Sequence, residues 1–348
     1  MDQRNPSAGL LDEKPRATLM RGPTSLEPMP NLAAHLGREG LHVKRDDLTG
    51  LAFGGNKVRQ LEFYLGEARD EGADTILITG AVQSNFVRLA AAAARKFGLQ
   101  CHIQLEERVA KNDPTYHNSG NVLIDRLLGA TLHSYPSGDD EEGADRNIRE
   151  IAAELGRKGR KTYVIPLAPG HAPLGALGYV DAARELLEQA AEQGLKLEDV
   201  VVASGSGHTH AGLLFGLRAF GSPARVTGVC VRRASGIQRK RIVERVAQIA
   251  ELLDMACPVL EADVILDDSH LAPGYGRMSD AVMDAMRLGA ETEALMLDPV
   301  YTAKAFAGFL DRARASASGD AVFIHTGGTP GIFAYEKELT AACARPRG

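Results

Sequence analysis

The chain has 348 residues, of which 44% are hydrophobic and 24% charged, a composition typical of an ordinary globular protein. This length predicts one large α/β unit or two domains, with enough material for a sizeable core. The net charge of -5 gives no reason to expect nucleic acid or an anionic membrane as partner, and no apolar run reaches the roughly 20 residues that would span a bilayer.

The amino-terminal residues and the cysteines together predict a compartment. Residues 1–6 are polar and lack the apolar core of a signal peptide. Cys101, Cys230, Cys257 and Cys343 are widely spaced and form no CxxC pair. This spacing favours reduced thiols in the cytoplasm over a disulfide framework or a zinc site.

The predicted elements alternate between strand and helix along the chain. Strands are predicted at 75–79, 102–105, 163–167, 200–203, 226–231 and 321–324, and helices at 86–97, 211–220 and 238–253. Continuous apolar strands that alternate with helices indicate open parallel sheets with helices on both faces. Ligands in such folds bind at the carboxyl ends of strands, where three glycine-rich loops are predicted. The charged stretch 138–143 is interpreted as an exposed loop.

The run Gly54-Gly55-Asn56-Lys57 presents a lysine behind two glycines. Glycine lets the backbone approach another group closely and would weaken the interior of a strand or helix. A lysine presented in this way suits an amine that acts as a nucleophile, as in a Schiff base. The alternative is a solvated surface lysine at the start of a helix.

The loop Ser204-Gly205-Ser206-Gly207-His208-Thr209 leads from a predicted strand into a predicted helix. Small residues there expose backbone N–H groups at the positive end of a helix, which favours a bound anion. The third glycine, Gly212, falls too late for a dinucleotide-binding fingerprint. The loop therefore predicts a site for a single phosphate, and the alternative is a tight strand-to-helix turn.

Two other loops also open helices and carry candidate polar groups. Ser84 and Asn85 are favoured helix caps, and the same donors are candidates to hold a carboxylate or a ring oxygen. Thr326 lies in a loop after the last predicted strand, and the alternative there is an ordinary turn before Pro330.

Two tyrosines and two histidines are the remaining candidate site residues. Tyr275 lies between glycines, which indicates a loop, whereas Tyr301 is interpreted on sequence alone as a core residue. A phenol beside a cofactor would serve as an acid or a base. His208 and His210 lack the spacing of zinc ligands, so no metal site is predicted.

Together these segments resemble the D-cysteine desulfhydrase and 1-aminocyclopropane-1-carboxylate deaminase family of pyridoxal-phosphate enzymes, which has the tryptophan-synthase-β-like fold (fold type II). The resemblance runs from about Leu26 to Tyr335 and is more specific for the family than for the substrate. The segments that carry it are 44–47, 54–57, 80–85, 120–130, 205–212, 272–276, 297–301 and 323–331.

The resemblance implies an architecture and a cofactor. It implies two open, twisted, mainly parallel sheets with helices on both faces and pyridoxal 5'-phosphate at the domain interface. The small domain would span 52–172, and the large domain would combine 1–51 with 173–348. Relatives of this fold are commonly homodimers, so a homodimer is expected.

The resemblance also implies a role for each matching side chain. Lys57 would hold the cofactor covalently and take the Cα proton. The implied contacts are Asn85 to the ring hydroxyl, the loop Gly205-Ser206-Gly207-His208-Thr209 to the phosphate, Thr326 to the pyridine nitrogen, Ser84 to the substrate, and Tyr275 and Tyr301 to the substrate side.

The implied reaction is β-elimination from a small β-substituted amino acid, with the cofactor as electron sink. D-cysteine, giving pyruvate, ammonia and sulfide, is the leading substrate. The alternatives are L-cysteate losing sulfite, ring opening of 1-aminocyclopropane-1-carboxylate, and a protein that binds the cofactor without turnover.

Three positions depart from the pattern of the desulfhydrase branch. Phe86 stands where that branch usually has histidine, His208 where it has glycine, and Leu89 where it has glutamine. An added imidazole at His208 or His210 would favour an anionic group such as a sulfonate, and the alternative is a neutral substitution at the edge of the loop. Arg232-Arg233 ends a strand, where it is a candidate contact for an anion, but the pair is interpreted as surface-exposed.

Overall fold

The computed structural model describes residues 9–168, 170–315 and 319–344. The polar residues 1–6, on which the argument against a signal peptide depends, lie outside the described residues. No helix within the described ranges combines the length and the apolar character needed to cross a membrane.

Within the described ranges, ten strands form two separate sheets. The strands are β1 (Leu26–Pro28), β2 (Leu41–Lys44), β3 (Thr75–Ala81), β4 (Gln100–Glu106), β5 (Thr131–Tyr135), β6 (Thr162–Ile165), β7 (Leu197–Ser204), β8 (Arg225–Cys230), β9 (Ile265–Asp267) and β10 (Asp320–Ile324). One sheet has the order β5-β4-β3-β6, and the other has the order β1-β2-β10-β7-β8-β9. All neighbouring pairs are parallel except β1 and β2.

Helices connect and cover the strands. They are α1 (Pro30–Leu36), α2 (Lys57–Asp70), α3 (Asn85–Lys96), α4 (Pro114–Asn118), α5 (Gly120–Leu127), α6 (Glu141–Arg157), α7 (Leu177–Glu192), α8 (His208–Ala219), α9 (Ser235–Leu252), α10 (Asp280–Glu293), α11 (Thr302–Ala315), α12 (Gly331–Ala334) and α13 (Glu336–Cys343). The predicted class, two mainly parallel sheets with helices, is confirmed.

The strands of the four-stranded sheet all lie between residues 75 and 165, and those of the six-stranded sheet lie before and after them. The predicted domain division at 52–172 stays a prediction. A large core cluster joins apolar side chains from both sheets, such as Ile78 of β3 and Val202 of β7, with α2 and α8. Each fully buried aliphatic side chain stabilises the fold by about 1.5–3 kcal/mol.

Helix α2 is fixed by a buried ion network at its first turn. Arg59 donates to both oxygens of Asp46, at 3.0 and 2.9 Å, and also to Glu185 at 2.8 Å. The hydroxyl of Tyr179 donates to Asp46 as well. Because breaking a buried pair typically costs about 3–5 kcal/mol, this network holds the start of α2, where Lys57 lies, in one position.

Candidate active site

Lys57 begins α2 where two glycine loops pack backbone against backbone. Gly55 has a φ of 127°, and a Cβ on Gly327 would lie only 2.7 Å from the Cα of Gly55. The amide of Asn56 donates to the carbonyl of Thr326 at 3.1 Å. This close approach, which the glycines allow, places Lys57 directly beside the loop that follows β10.

The amine of Lys57 is partly desolvated. Its Nζ donates to Gln60 Oε1 at 3.2 Å and lies 4.9 Å from the centre of the Phe86 ring. Burial lowers the pKa of Lys57 to about 7, so a large fraction of the amine is uncharged at neutral pH and able to act as a nucleophile. Lys57 is thus unlike a solvated surface lysine.

The loop between β7 and α8 forms a cradle with little room for a Cβ at its two glycines. Gly207 has a φ of 95°, and a Cβ there would lie 3.1 Å from Ile242. A Cβ on Gly205 would lie 3.3 Å from Val231. The first N–H groups of α8 have no acceptor within the helix, so the cradle presents donors to an anion at the positive end of the helix.

Thr209 connects this cradle to the lysine. Its hydroxyl accepts hydrogen bonds from Asn56 Nδ2 at 2.8 Å and from Gln60 Nε2 at 2.9 Å. Because both of these amides belong to the start of α2, the anion cradle and the Lys57 amine are held in fixed relation.

Ser84 caps α3 and also faces the cleft. Its Oγ accepts from the amides of Phe86 at 3.2 Å and Val87 at 3.4 Å. Next to it, Asn85 Oδ1 accepts from Asn121 Nδ2 at 3.0 Å. Capping and lining therefore coexist at Ser84, whereas Asn85 lines the cleft without capping the helix.

Tyr275 and Tyr301 meet on the other side of the cleft. Their hydroxyl groups form a short contact, and their ring centres are 5.8 Å apart. Tyr275 lies in a loop, as predicted. Tyr301, just before α11, is half-buried: it packs against a core cluster that includes Val300 and also lines the cleft, so its interpretation as a core residue was only partly right.

These groups surround one cleft of about 850 Å³ at the carboxyl ends of strands from both sheets. The predicted site residues that line it are Lys57, Ser84, Asn85, Gly205, Ser206, Gly207, Thr209, Tyr275, Tyr301 and Thr326. Within the described ranges, no group of three metal-ligating side chains is found.

The two histidines lie beneath the cradle rather than at its edge. The imidazoles of His208 and His210 are buried, and neither lines the cleft. Burial lowers the pKa of both, to about 4 for His210, whose Nδ1 lies 3.1 Å from Ser204 Oγ. The interpretation of either as a charged partner for a sulfonate is therefore wrong, and His208 can contribute to the cradle only through its backbone.

Sequence reasoning identified only part of a group of arginines in the cleft, because it considered Arg232-Arg233 as a candidate anion contact and did not consider Arg241. Arg232, Arg233 and Arg241 all pair with Glu141, and none of their side chains is more than 14% exposed. The expectation that Arg232-Arg233 lies on the surface was wrong. Residues 138–143 are likewise not an exposed loop throughout, because Glu141 begins α6 and lines the cleft. The available signal was that Arg232 lies two residues after the last residue of β8, at the carboxyl end of that strand.

The arrangement fits pyridoxal phosphate. A partly uncharged Lys57 amine suits the aldehyde of that cofactor, and the cradle at Gly205 and Gly207, which a Cβ would crowd, suits its phosphate. Ser84, Asn85 and Thr326 line the cleft between and around these two groups, where they would face the ring and the substrate.

Known proteins resemble the chain over nearly its full length. The family model for pyridoxal-phosphate-dependent enzymes matches residues 17–327. D-cysteine desulfhydrase of Salmonella choleraesuis (strain SC-B67) is 42% identical over 328 residues, which cover 93% of this chain and 97% of that protein.

Solved structures agree with that assignment. The crystal structure of an ACC deaminase homologue matches with a TM-score of 0.87 and 37% identity, covering 98% of this chain and 100% of that one. Threonine deaminase isoform 2 from Solanum lycopersicum, at 16% identity and a TM-score of 0.64, covers 92% of this chain and 88% of its own, and shows the shared fold alone. The chain belongs to the family of pyridoxal-phosphate-dependent enzymes.

Proposed function

We propose that the protein catalyses β-elimination from a small β-substituted amino acid, with D-cysteine as the leading substrate. D-cysteine and water would give pyruvate, ammonia and hydrogen sulfide. The observation that carries the proposal is the Lys57 amine, with its pKa lowered to about 7, set between an anion cradle and a pair of tyrosine hydroxyls. The 42% identity to D-cysteine desulfhydrase supports the choice of substrate.

In this proposal Lys57 acts as the general base. Pyridoxal phosphate, when bound, supplies an electron sink for the carbon that loses its proton. The uncharged Lys57 amine is able to take the Cα proton, because its lowered pKa places proton transfer near neutral pH. The ring of Phe86, against Lys57 Nζ, keeps water from one side of that amine.

The tyrosine pair would assist the leaving group. Burial, followed by the neighbouring Tyr275, raises the pKa of Tyr301 well above its ordinary value, so its phenol stays protonated. Within the pair one hydroxyl donates to the other, which leaves the second proton free to donate to the departing sulfur. Ser84 lines the same cleft and would orient the substrate, and Asn85 would contact the ring hydroxyl of the cofactor.

Thr326 would present a hydroxyl to the nitrogen of the cofactor ring. A carboxylate at this position would instead keep that nitrogen protonated. A hydroxyl partner would not impose that proton, so the electron sink would be weaker. That electronic setting favours rapid loss of a β-leaving group over slower chemistry at Cα.

We also propose the assembly and the compartment. The substrate is a small amino acid, the protein is a homodimer, and a small domain at 52–172 packs against a large one made of 1–51 and 173–348. Four strands confined to 75–165 support that division. The free thiols, Cys101 and Cys230 buried among them, support a cytoplasmic location.

A second candidate activity is ring opening of 1-aminocyclopropane-1-carboxylate. It is favoured by the likeness, at a TM-score of 0.87, to an ACC deaminase homologue. Such a reaction would release 2-oxobutyrate rather than pyruvate.

The decisive experiment is a substrate panel on purified, cofactor-loaded protein. Pyruvate, 2-oxobutyrate, sulfide and ammonia are measured with D-cysteine, L-cysteine and 1-aminocyclopropane-1-carboxylate. Pyruvate with equal sulfide from D-cysteine is the expected result. Lys57→Ala should abolish both the visible absorbance of the bound cofactor and turnover, whereas Lys158→Ala, at a 65% exposed side chain, should change neither. Turnover that survives Lys57→Ala would contradict the mechanism, and silence on every substrate with cofactor bound would indicate a protein without turnover.

A further inference from the structure

Gln60 lies one helical turn after Lys57 on α2 and contacts both the lysine and the anion cradle. Its side chain is fully buried. Its Oε1 accepts a hydrogen bond from Lys57 Nζ at 3.2 Å, and its Nε2 donates to Thr209 Oγ1 at 2.9 Å. An amide has its acceptor on one side and its donors on the other, so reversing it would turn those donors against the N–H groups of Lys57. The amide is therefore held in this one orientation.

The hydroxyl of Thr209 continues this chain of hydrogen bonds toward the cradle. It accepts from Gln60 and also from Asn56 Nδ2 at 2.8 Å. Because a hydroxyl has two acceptor positions and one proton, these two amides leave the proton of Thr209 to donate. Thr209 lines the cleft beside the glycines of the cradle, so an anion in the cradle would accept that proton. Such an anion would fix Thr209, Gln60 and the Lys57 amine in series.

The partner of the Lys57 amine is uncharged. Burial alone lowers the pKa of Lys57, and none of the charged or titratable side chains around it contributes to that lowering. Those that line the cleft or lie beneath it on neighbouring elements include Arg108, Glu141, His208, Arg241, Asp298 and Tyr301. A carboxylate in place of the Gln60 amide would hold the amine as ammonium, because an opposite charge within about 4–6 Å favours the charged form. The amide carbonyl orients the amine without fixing its charge.

We propose that Gln60 is a positioning residue, which holds the free amine of Lys57 through a neutral acceptor and couples its position to an anion in the cradle. The amine is free before it attaches to the cofactor aldehyde and again after substrate has taken its place. At the first stage Gln60 orients the amine for attack, and at the second it holds the amine in place to act as the base. The second role rests on the proposed β-elimination, whereas the first does not.

The test measures how fast the cofactor-free protein takes up two aldehydes. Pyridoxal phosphate and 5'-deoxypyridoxal, which lacks the phosphate, are each added across a range of pH, and the visible absorbance of the attached aldehyde is followed. Attachment forms a C=N bond between the amine nitrogen and the aldehyde carbon and releases water, so it requires the uncharged amine. The rate in the wild type should rise with pH through a midpoint near the lowered pKa of Lys57, about 7.

Two substitutions of Gln60 separate charge from hydrogen bonding. Gln60→Glu keeps an acceptor and adds a negative charge, so with both aldehydes its midpoint should lie about one pH unit or more above that of the wild type, and attachment at neutral pH should slow about tenfold. Gln60→Met keeps the bulk and removes both hydrogen bonds, so its midpoint should not rise and its rate at high pH should fall about two- to tenfold. Gln100→Glu makes the same charge change at an exposed position and should alter neither.

Inorganic phosphate tests the coupling to the cradle. At a pH high enough to leave the amine uncharged, phosphate should speed attachment of 5'-deoxypyridoxal to the wild type about two- to tenfold, and it should not do so in Gln60→Met. In turnover of D-cysteine, Gln60→Met should lower kcat by a similar factor and leave KM nearly unchanged, because the amide contacts the amine rather than the substrate.

The outcomes distinguish the positioning role from the proposed function. A midpoint in Gln60→Glu equal to that of the wild type, or one raised equally in Gln100→Glu, would overturn the role of Gln60. A midpoint raised with pyridoxal phosphate alone would indicate repulsion of the phosphate and would overturn it as well. The same response to inorganic phosphate in the wild type and in Gln60→Met would refute the coupling. A wild type that takes up the cofactor as expected but turns over no substrate would refute the β-elimination and leave the positioning of the amine standing.

Discussion

Lys304 is a buried cation that holds the loop carrying Tyr275. Its Nζ donates to the carbonyls of Leu271 at 2.7 Å and Gly274 at 2.8 Å, and the side chain is fully buried in α11. Gly274 directly precedes Tyr275, so these two hydrogen bonds set where the phenol lies. Replacing Lys304 with methionine keeps the bulk of the side chain and removes both hydrogen bonds.

Two opposing terms decide the stability of Lys304→Met. Two hydrogen bonds from a charged donor contribute about 3–6 kcal/mol together. Against them, burial lowers the pKa of Lys304 from 10.5 to about 8, which means that keeping the ammonium charged at pH 7 costs roughly 3 kcal/mol. Because the terms largely cancel, the free energy of unfolding should change by less than about 3 kcal/mol. Activity should fall about 10- to 100-fold, because a displacement of about 1 Å at a reacting group can cost that much.

The assay combines kcat/KM on D-cysteine with hydrogen exchange of the loop at 268–276 and with unfolding by urea. Lys304→Met should speed exchange in that loop, Lys304→Gln should restore part of the activity because its amide still donates, and Lys158→Met is the surface control. Between pH 8 and 10.5 the unfolded state binds the Lys304 proton and the folded state does not, so wild-type stability should rise with pH and Lys304→Met should lose that rise. Full activity with unchanged loop exchange, or unfolding at neutral pH, would refute this reasoning.

Three other changes are expected to separate backbone packing, cofactor binding and buried charge. Gly327→Ala should destabilise the protein by about 2–4 kcal/mol in urea unfolding, because the new Cβ would lie 2.7 Å from the Cα of Gly55 and the backbone φ is 88°. Gly156→Ala is the control and should not destabilise it, because no atom lies within 4 Å of the Cβ that it would add. Thr209→Val should weaken cofactor binding about tenfold by equilibrium dialysis, because Thr209 loses the hydroxyl that joins the cradle to α2; unchanged binding would contradict that link. Burial raises the pKa of Asp125 to about 8, so between about pH 4 and 8 the folded state keeps a proton that the unfolded state releases. The free energy of unfolding should therefore fall as pH rises through this range. Asp125→Asn should flatten that dependence on pH, and an unaltered dependence would contradict the assignment to Asp125.

Strand–loop–helix units were readable from the sequence because their signals are local. Strand β3 with α3, and β7 with α8, were predicted in the right places. The predicted start of α8 at residue 211 was three residues late, because the polar residues at 208–210 hide the first helical turn. The edge strand β5, which is half exposed and has no continuous apolar run, gave no comparable signal.

The buried ion network at α2 was not readable from the sequence. Lys44 and Asp46 were noted only as part of a polar stretch that carries the family resemblance. In the structure both are buried, and Asp46 pairs with Arg59, two residues beyond Lys57. No local sequence pattern predicts such pairs, because the burial of Arg59 depends on partners such as Glu185, which lies more than 100 residues further along the chain.

The cofactor side and the substrate side of the cleft differ in how far apart along the chain their residues lie. The phosphate cradle needs one strand, one glycine turn and one helix start, all within about a dozen consecutive residues, so a single segment reveals it. The arginines on the substrate side include Arg108 from the end of β4 and Arg232 from the end of β8, and they meet Glu141 from the start of α6 only in the folded protein. A chain can therefore retain every residue that predicts pyridoxal phosphate while its substrate is set by side chains with no common motif.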